Sequence, residues 1–291
     1  MVLGLARSPE NLLKVAQMGG NPVRGDVLDK ERMERLFEKE KPEAVINLAT
    51  AIPLKLRVNP ADWEQNDRVR AEGTVNLLRT SEVQGVKVFL QESVGYICSS
   101  QGSAWMNEDS PLSSHPFLAK TILMEEQVKA SHVPSAILRL GALLSADSWH
   151  TQQTVAAIRK GLLPILGNGE AYLSQIHAQD AGGAFLHLLD HFEKAQGQTW
   201  IAVEEKPATS AEIFPFVANL LKSPTPRRVP IIMARALVGA ITIEVLGASY
   251  RLSSQKMREE LGFILRYPSY RQIWEEIATQ VAGKQFSFTG L

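Results

Sequence analysis

Small or polar residues follow each of the first strands that the sequence predicts, at the point where the strand ends. Arg7 and Ser8 follow the first strand, Gly25-Asp26-Val27 the second, Ala49-Thr50-Ala51 the third, and Ser93 the fourth. A guanidinium pairs well with a phosphate, small residues let a ligand approach the backbone closely, and a hydroxyl hydrogen-bonds a substrate oxygen. This pattern indicates a flat ligand, such as a dinucleotide, lying across the edge of a sheet.

Short apolar strands alternate with amphipathic helices through the first half of the chain, which predicts βαβ units and a parallel sheet. Doubly wound sheets of this kind bind ligands outside the carboxyl ends of their strands. The predicted strands are Val2–Ala6, Pro22–Arg24, Ala44–Leu48, Val86–Leu90 and Ala136–Leu140, and the predicted helices are Pro9–Met18, Lys30–Glu40, Asp62–Val83 and Phe117–Ser131.

Helices dominate the second half of the chain, with two short strands near Leu173–Ile176 and Thr199–Val203. We therefore expect a dinucleotide-binding region over 1–145 and a mainly helical, substrate-side region over 146–291. The predicted helices of the second region are Gln152–Gly161, Asp180–Phe192, Ser210–Lys222, Ile231–Leu246, Ser254–Leu261 and Tyr270–Val281.

Composition excludes several classes of protein. The 291 residues include 31 Lys plus Arg and 31 Asp plus Glu, so the formal net charge is zero. The chain therefore lacks the net positive charge that favours binding of nucleic acid. Cys98 is the single cysteine and cannot form an internal disulfide, which favours a cytoplasmic location.

His187 and His191 have metal-ligand spacing, but no third ligand is evident, so no metal site is predicted. The apolar stretch Ile231–Leu246 is too short to span a bilayer and is interrupted by charges, so no membrane association is expected.

Eight segments together resemble the extended short-chain dehydrogenase/reductase superfamily, in its NAD-dependent epimerase/dehydratase-like branch. In chain order they read LARSPENL, VRGDVLD, INLATA, NDRVRAEGTVNLL, FLQES, LRLGALLS, LSQIHAQDAGGAFL and SSQKMREELGF. The resemblance implies a Rossmann-type α/β fold and hydride transfer to or from a hydroxyl or carbonyl carbon of a small molecule. It also implies that Asp26 contacts adenine and that Val27 and Ala49-Thr50-Ala51 line the cofactor.

The sequence departs from the family at its first motif. The family opens with a strand and a glycine-rich turn that holds the pyrophosphate, whereas this chain opens at what resembles the second strand. The resemblance therefore implies that one βα unit of roughly 30 residues is absent from this sequence. We expect the first strand either to pair directly with Ala44–Leu48 or to leave an open slot beside it.

A second departure concerns the family's Tyr-x-x-x-Lys pair, in which lysine lowers the pKa of the tyrosine hydroxyl. Lys120 is present, but Pro116 stands four residues before it and the neighbouring Phe117 has no hydroxyl. Tyr96 lies three residues after Ser93 and is the candidate substitute. Ser93, Tyr96 and Lys120 are therefore the candidate catalytic residues, with Lys120 as a plain surface lysine the alternative.

Arg7 and Ser8 stand where an NAD-preferring site has an acidic residue on the ribose. Because a guanidinium suits a 2′-phosphate, we expect NADP in preference to NAD. The leading hypothesis is an NAD(P)-dependent epimerase/dehydratase-like oxidoreductase. The alternatives are a non-catalytic NADP sensor and a chain that binds no dinucleotide. The expected partner is a small-molecule substrate, and a homodimer is possible.

Other polar residues are expected to have structural roles. Asn66 and Asn76 lie on the long helix, and one of them is predicted to hydrogen-bond a neighbouring loop. Glu92 is predicted to be a solvated loop residue, with a general base as the alternative. His177 and Asp180 match the family's substrate-side segment and are expected to orient a loop and cap a helix.

Overall fold

Strands and helices alternate through the first half of the chain, as the sequence predicts. The structure is a computed structural model that describes residues 1–55, 58–240 and 242–286. Its first elements are β1 (Leu3–Ala6), α1 (Pro9–Gln17), β2 (Asn21–Arg24), α2 (Lys30–Glu40), β3 (Ala44–Asn47), α3 (Pro60–Arg68), a π-helical turn (Val69–Gly73), α4 (Thr74–Val83), β4 (Val88–Val94), β5 (Trp105–Met106), α5 (Ala119–Ala130), β6 (Ser135–Leu140) and β7 (Ala142–Leu144).

Side-chain caps fix where the early helices begin. The Ser8 hydroxyl accepts a hydrogen bond from the backbone N–H of Asn11 at 3.2 Å, and the Asp29 carboxylate accepts one from that of Arg32 at 3.0 Å. Each cap satisfies a backbone donor that has no partner inside its helix. Serine and aspartate are among the residue types that favour this position.

The central sheet has four parallel strands in the order β11-β6-β4-β3, where β11 is Thr199–Ala202. Phe89 of β4 is in register with Ser135 of β6, and Ala44 of β3 is in register with Val88. Since β11 comes from the second half of the chain, that half also contributes to the Rossmann-type sheet. The division between 145 and 146 stays a prediction.

β1 and β2 form a separate parallel pair, with Leu3 opposite Asn21. Within the described residues β1 does not pair with β3, so β3 is an edge of the four-stranded sheet. Of the two arrangements expected from the sequence, direct pairing of the first strand with Ala44–Leu48 is therefore not observed among the described residues. Apolar side chains on these strands remain exposed: Leu5 is 38% and Ile46 36% accessible.

One hydrophobic cluster joins the segment after β2 to the central sheet. Met33 and Phe37 of α2 pack with Leu77 of α4 and Phe89 of β4, and Val27 after β2 belongs to the same cluster. This packing places the ends of β1, β2 and β3 along one edge of the fold.

The opposite face of the central sheet is covered by helices from the second half. Trp200 of β11 and Leu138 of β6 pack against Phe185 and Met257. The remaining elements are α6 (Trp149–Arg159), β8 (Ile165–Leu166), β9 (Tyr172–Leu173), β10 (Gln175–His177), α7 (Ala178–Asp190), α8 (Phe192–Ala195), β12 (Ala208–Thr209), α9 (Ser210–Leu220), β13 (Arg228–Val229), α10 (Ile231–Val238), a second π-helical turn (Thr242–Leu246), β14 (Arg251–Leu252), α11 (Gln255–Leu261) and α12 (Tyr270–Val281).

The prediction of a single helix over Ile231–Leu246 is wrong. The chain leaves helical geometry at Gly239, where φ is +92°, a backbone conformation that residues other than glycine rarely adopt. Among the described residues, none of the helices is long and apolar enough to cross a bilayer.

A buried ion pair ties α5 to the central sheet. Arg139 of β6 donates to both carboxylate oxygens of Glu125, at 2.9 and 2.7 Å, and the two residues are 2% and 1% exposed. The Arg139 guanidinium also donates to the backbone carbonyl of Glu108 at 3.1 Å. Because these contacts leave little charge uncompensated, the pair is sustainable inside the core.

Glu204 makes the unfolding free energy of the protein depend on pH. It is 1% exposed, accepts a hydrogen bond from the backbone N–H of Gln175, and burial raises its pKa well above the ordinary 4.5. Its stabilising contribution is therefore full below the unfolded-state pKa and is lost as pH rises through the folded-state pKa.

Glu204→Gln is expected to flatten this decline in stability above pH 4.5. Urea unfolding followed by circular dichroism at several pH values measures the slope. Glu205→Gln is the matched control, since Glu205 is a partly exposed partner of Arg258 at 3.3 Å. Equal slopes in the Glu204 variant and the unsubstituted protein would contradict the prediction.

Candidate active site

Arg7 and Asp26 meet at the ends of β1 and β2. The Arg7 Nη1 lies 3.6 Å from the Asp26 Oδ2, and the two side chains are 51% and 35% exposed. The other Asp26 oxygen accepts a hydrogen bond from the backbone N–H of Leu28 at 3.0 Å, which fixes the turn. Asp26 therefore has a structural role in the turn, and its carboxylate still faces solvent beside a cation.

The other residues at this end of the site have structural partners of their own. The Ser8 hydroxyl is engaged as the cap of α1. Val27 is buried, and its carbonyl oxygen accepts a hydrogen bond from the Asn76 side-chain amide at 2.9 Å. The structural role predicted for Asn76 is confirmed.

Asparagine side chains hold the loop Ala49-Thr50-Ala51 in shape. The Asn47 Oδ1 accepts from the backbone N–H of Ala49, and the Asn66 Oδ1 accepts from that of Ala51, both at 3.1 Å. The Asn66 contact confirms its predicted role. The backbone N–H groups of Ala49 and Ala51 are consequently occupied. The loop would therefore offer a ligand its small side chains and its remaining backbone groups.

A narrow cleft, with an accessible volume of only about 10 Å³, lies where the end of β4 faces α3 and the start of α5. Trp63 and Phe117 close one side of it in an edge-to-face contact with their ring centroids 4.7 Å apart. Tyr96 lines the cleft and is partly buried, and this burial raises the pKa of its hydroxyl. The lining residues are Ile52, Trp63, Asn66, Asp67, Arg70, Tyr96, Phe117, Leu118 and Thr121.

Ser93 and Lys120 do not line this cleft. β4 extends to Val94, so Ser93 lies inside the strand instead of after it; Ser93 is fully buried, and its hydroxyl has no hydrogen-bond partner among the described atoms. Lys120 is exposed on the first turn of α5 and acts electrostatically on the Asp67 carboxyl. Of the three candidate catalytic residues, the structure places Tyr96 alone in the cleft.

The sequence did not reveal that Arg70, which lines the cleft, forms an ion pair with Glu92 behind it. Glu92 belongs to β4 and its side chain is 13% exposed, so its predicted role as a solvated loop residue is wrong. Its Oε2 lies 3.2 Å from the Nη2 of Arg70, which is 3% exposed on the π-helical turn. One signal was available: Arg70 lies on the long helix between Val69 and Gly73, on the face that packs against the sheet.

Asp67 completes the charged groups of the cleft. Burial raises the pKa of this carboxyl, and the nearby charges of Lys120 and Arg70 oppose that rise. The cleft therefore combines one phenol and one carboxyl group, which can hold and move a proton, with a buried cation that stays charged.

His177 and Asp180 have the structural roles expected of them. The His177 ring accepts a hydrogen bond from the backbone N–H of Gln179 at 3.2 Å, and the Asp180 carboxylate accepts from those of Arg266 and Tyr267 at 2.8 and 2.9 Å. These contacts fix the loop before α12 against the start of α7.

The model of the NAD dependent epimerase/dehydratase family matches residues 1–202. The chain belongs to this family. A relative, the 3-diazoavenalumate denitrifying reductase of a Streptomyces species, is 28% identical over 258 residues, which is 86% of this chain and 84% of the relative.

Solved structures of the same fold confirm the Rossmann-type architecture. A human epimerase family protein with NADPH superposes with a TM-score of 0.77 at 17% identity, covering 96% of this chain and 99% of that one. A dTDP-glucose 4,6-dehydratase from Streptomyces venezuelae, with NAD bound, gives a TM-score of 0.78 at 18% identity, covering 97% and 88%. At these identities the likeness shows the fold alone.

The described residues fit the adenosine half of a nicotinamide dinucleotide. Arg7 and Asp26 offer a cation and a hydrogen-bond acceptor at the ends of neighbouring strands. The glycines near this edge are close-packed, since a Cβ on Gly25 would lie 2.6 Å from Leu5 and one on Gly73 would lie 2.6 Å from Val27. Within the described residues these glycines serve packing and form no cradle for a pyrophosphate.

Proposed function

We propose that the protein is an NADP-linked oxidoreductase that reduces the carbonyl group of a small molecule. Membership of an NAD-dependent family supports this proposal, and so does a relative that is named as a reductase. The observation that carries it is the position of Tyr96, a phenol in a cleft at the carboxyl end of β4, beside a buried cation.

Each end of the site has a defined task in this proposal. The Arg7 guanidinium would pair with the 2′-phosphate of the dinucleotide, and Asp26 would accept a hydrogen bond from its adenine. The reduced nicotinamide would supply the hydride, because this chemistry belongs to the cofactor. Tyr96 would donate its hydroxyl proton to the substrate oxygen.

The direct test is oxidation of NADPH by the full chain in the presence of a panel of aldehydes and ketones. We expect at least one carbonyl compound to accelerate the loss of NADPH absorbance above the rate without protein. If no compound accelerates this loss in a preparation that binds NADPH, the proposal of an enzyme is contradicted. The result would then favour the alternative that the protein is a non-catalytic NADP sensor. The hydroxyl-free ring of Phe117 beside the cleft favours that alternative.

Arg7→Ala is expected to remove the preference for NADP. Losing charge-assisted hydrogen bonds to a phosphate should weaken NADPH binding roughly 10- to 100-fold and leave NADH binding unchanged. Isothermal titration calorimetry with both dinucleotides measures the difference. Arg35→Ala, at an exposed arginine of α2, is the matched control, and equal losses for the two dinucleotides would contradict the assignment of Arg7.

A further inference from the structure

Arg70 occupies an irregular turn of the long helix. Residues Val69–Gly73 form a π-helical turn between α3 and α4, and such turns occur frequently at functional sites. Arg70 is 3% exposed although it carries a full charge. A buried guanidinium needs compensating partners, so the contacts of this side chain indicate what it serves.

Two neighbouring elements hold the Arg70 guanidinium in place. The Glu92 carboxylate of β4 lies 3.2 Å from its Nη2, and the Met124 sulfur of α5 lies 3.7 Å from its Nη1. Gln91 of β4 donates to the same sulfur at 3.3 Å. The cation is therefore anchored from the sheet and from α5, and it lines the cleft.

Tyr96 lines the same cleft, and its hydroxyl experiences the charges of both Arg70 and Glu92. Among the described residues, the other titratable groups around it include Asp67, on the wall of the cleft, and Tyr250, whose ring centroid lies 6.4 Å away. The buried Cys98 belongs with Tyr250 to the hydrophobic cluster against which Tyr96 packs. Burial raises the pKa of Tyr250 to about 12, so that phenol is neutral at physiological pH. Arg70 is consequently the buried cation that acts on Tyr96.

We propose that Arg70, anchored by Glu92, is a positioning residue that stabilises the phenolate of Tyr96 during proton transfer. This inference rests on the proposed function. The carbonyl carbon gains a hydride from the reduced dinucleotide, the Tyr96 O–H bond breaks, and its proton goes to the carbonyl oxygen. The phenolate then takes a proton from water. Arg70, on the π-helical turn, would thus stabilise the tyrosine phenolate as lysine does in a Tyr-x-x-x-Lys pair.

The test is a pH titration of Tyr96 in the full chain without any dinucleotide, by NMR of tyrosine labelled at Cζ. The signal of Tyr96 is the one that disappears in Tyr96→Phe. We expect Arg70→Met to shift the titration midpoint of Tyr96 upward, because a cation is removed. Arg70→Lys should largely restore it. Glu92→Gln should shift the midpoint downward, because an anion is removed while Arg70 remains.

Opposite shifts in the Arg70→Met and Glu92→Gln variants support the proposal, whereas an unchanged midpoint in either variant overturns it. Arg68→Met is the matched control, since Arg68 is an exposed arginine two residues away that pairs with Glu72 at 3.1 Å, and it should leave the midpoint unchanged. If Arg70→Met does not fold, Arg70→Lys and Glu92→Gln decide the outcome. Because no substrate or cofactor is present, failure of NADPH turnover leaves this result intact.

Discussion

Replacing Tyr96 by phenylalanine is expected to lower kcat for NADPH-dependent carbonyl reduction about 100- to 10,000-fold, the usual contribution of a general acid. The substitution removes the hydroxyl that would protonate the substrate oxygen and keeps the ring that lines the cleft. NADPH affinity should stay unchanged, because the adenosine end of the site lies at β1 and β2. Steady-state kinetics with the best carbonyl substrate, together with calorimetry, separates the two effects.

Tyr267→Phe is the matched control for this experiment. The Tyr267 hydroxyl donates to the Gln179 side chain at 3.2 Å and is not part of the cleft. Tyr267→Phe removes the same hydroxyl group as Tyr96→Phe, but outside the cleft. The kcat of this variant should therefore match that of the unsubstituted protein. A Tyr96→Phe variant with undiminished kcat would remove Tyr96 from the mechanism.

Breaking the buried pair of Arg139 and Glu125 is expected to lower the free energy of unfolding by about 3–5 kcal/mol. Glu125→Gln removes the negative charge and leaves the guanidinium of Arg139, 2% exposed, without a counter-ion. Urea unfolding monitored by circular dichroism measures the loss. The double variant Glu125→Gln with Arg139→Met should recover part of the stability, because it removes the uncompensated charge as well.

The exposed pair of Arg68 and Glu72 provides the contrast. It has the same two-bond geometry, with distances of 3.1 and 3.2 Å, but its side chains are 49% and 56% exposed. Glu72→Gln should therefore cost only about 0.3–0.5 kcal/mol. Equal losses for Glu72→Gln and Glu125→Gln would show that burial does not set the strength of the Arg139 pair.

Local signals predicted most of the elements that frame the site. α2 begins and ends at the predicted residues because Asp29 caps it and its apolar residues recur at helical spacing. The order of strands and helices predicted the parallel sheet. The closeness of Arg7 and Asp26 was predictable because adjacent parallel strands end at one edge of a sheet.

The rest depended on contacts between residues that are distant in the sequence. β4 was predicted to end at Leu90, since Gln91 and Glu92 are polar, but the strand continues to Val94. These two side chains can be buried because Asn47 donates to Gln91 at 2.9 Å and Arg70 pairs with Glu92. Neither partner is visible locally, and the π-helical turn that carries Arg70 has no sequence signature of its own.

The central claim is that this chain binds NADP through the ends of β1 and β2 and positions Tyr96 for chemistry. Titration of the full chain with NADPH in a calorimeter tests it most directly. The account predicts saturable binding at one site, with NADPH bound more tightly than NADH and the difference abolished in Arg7→Ala. Absence of saturable binding for both dinucleotides would contradict the account and would favour the alternative that the chain binds no dinucleotide.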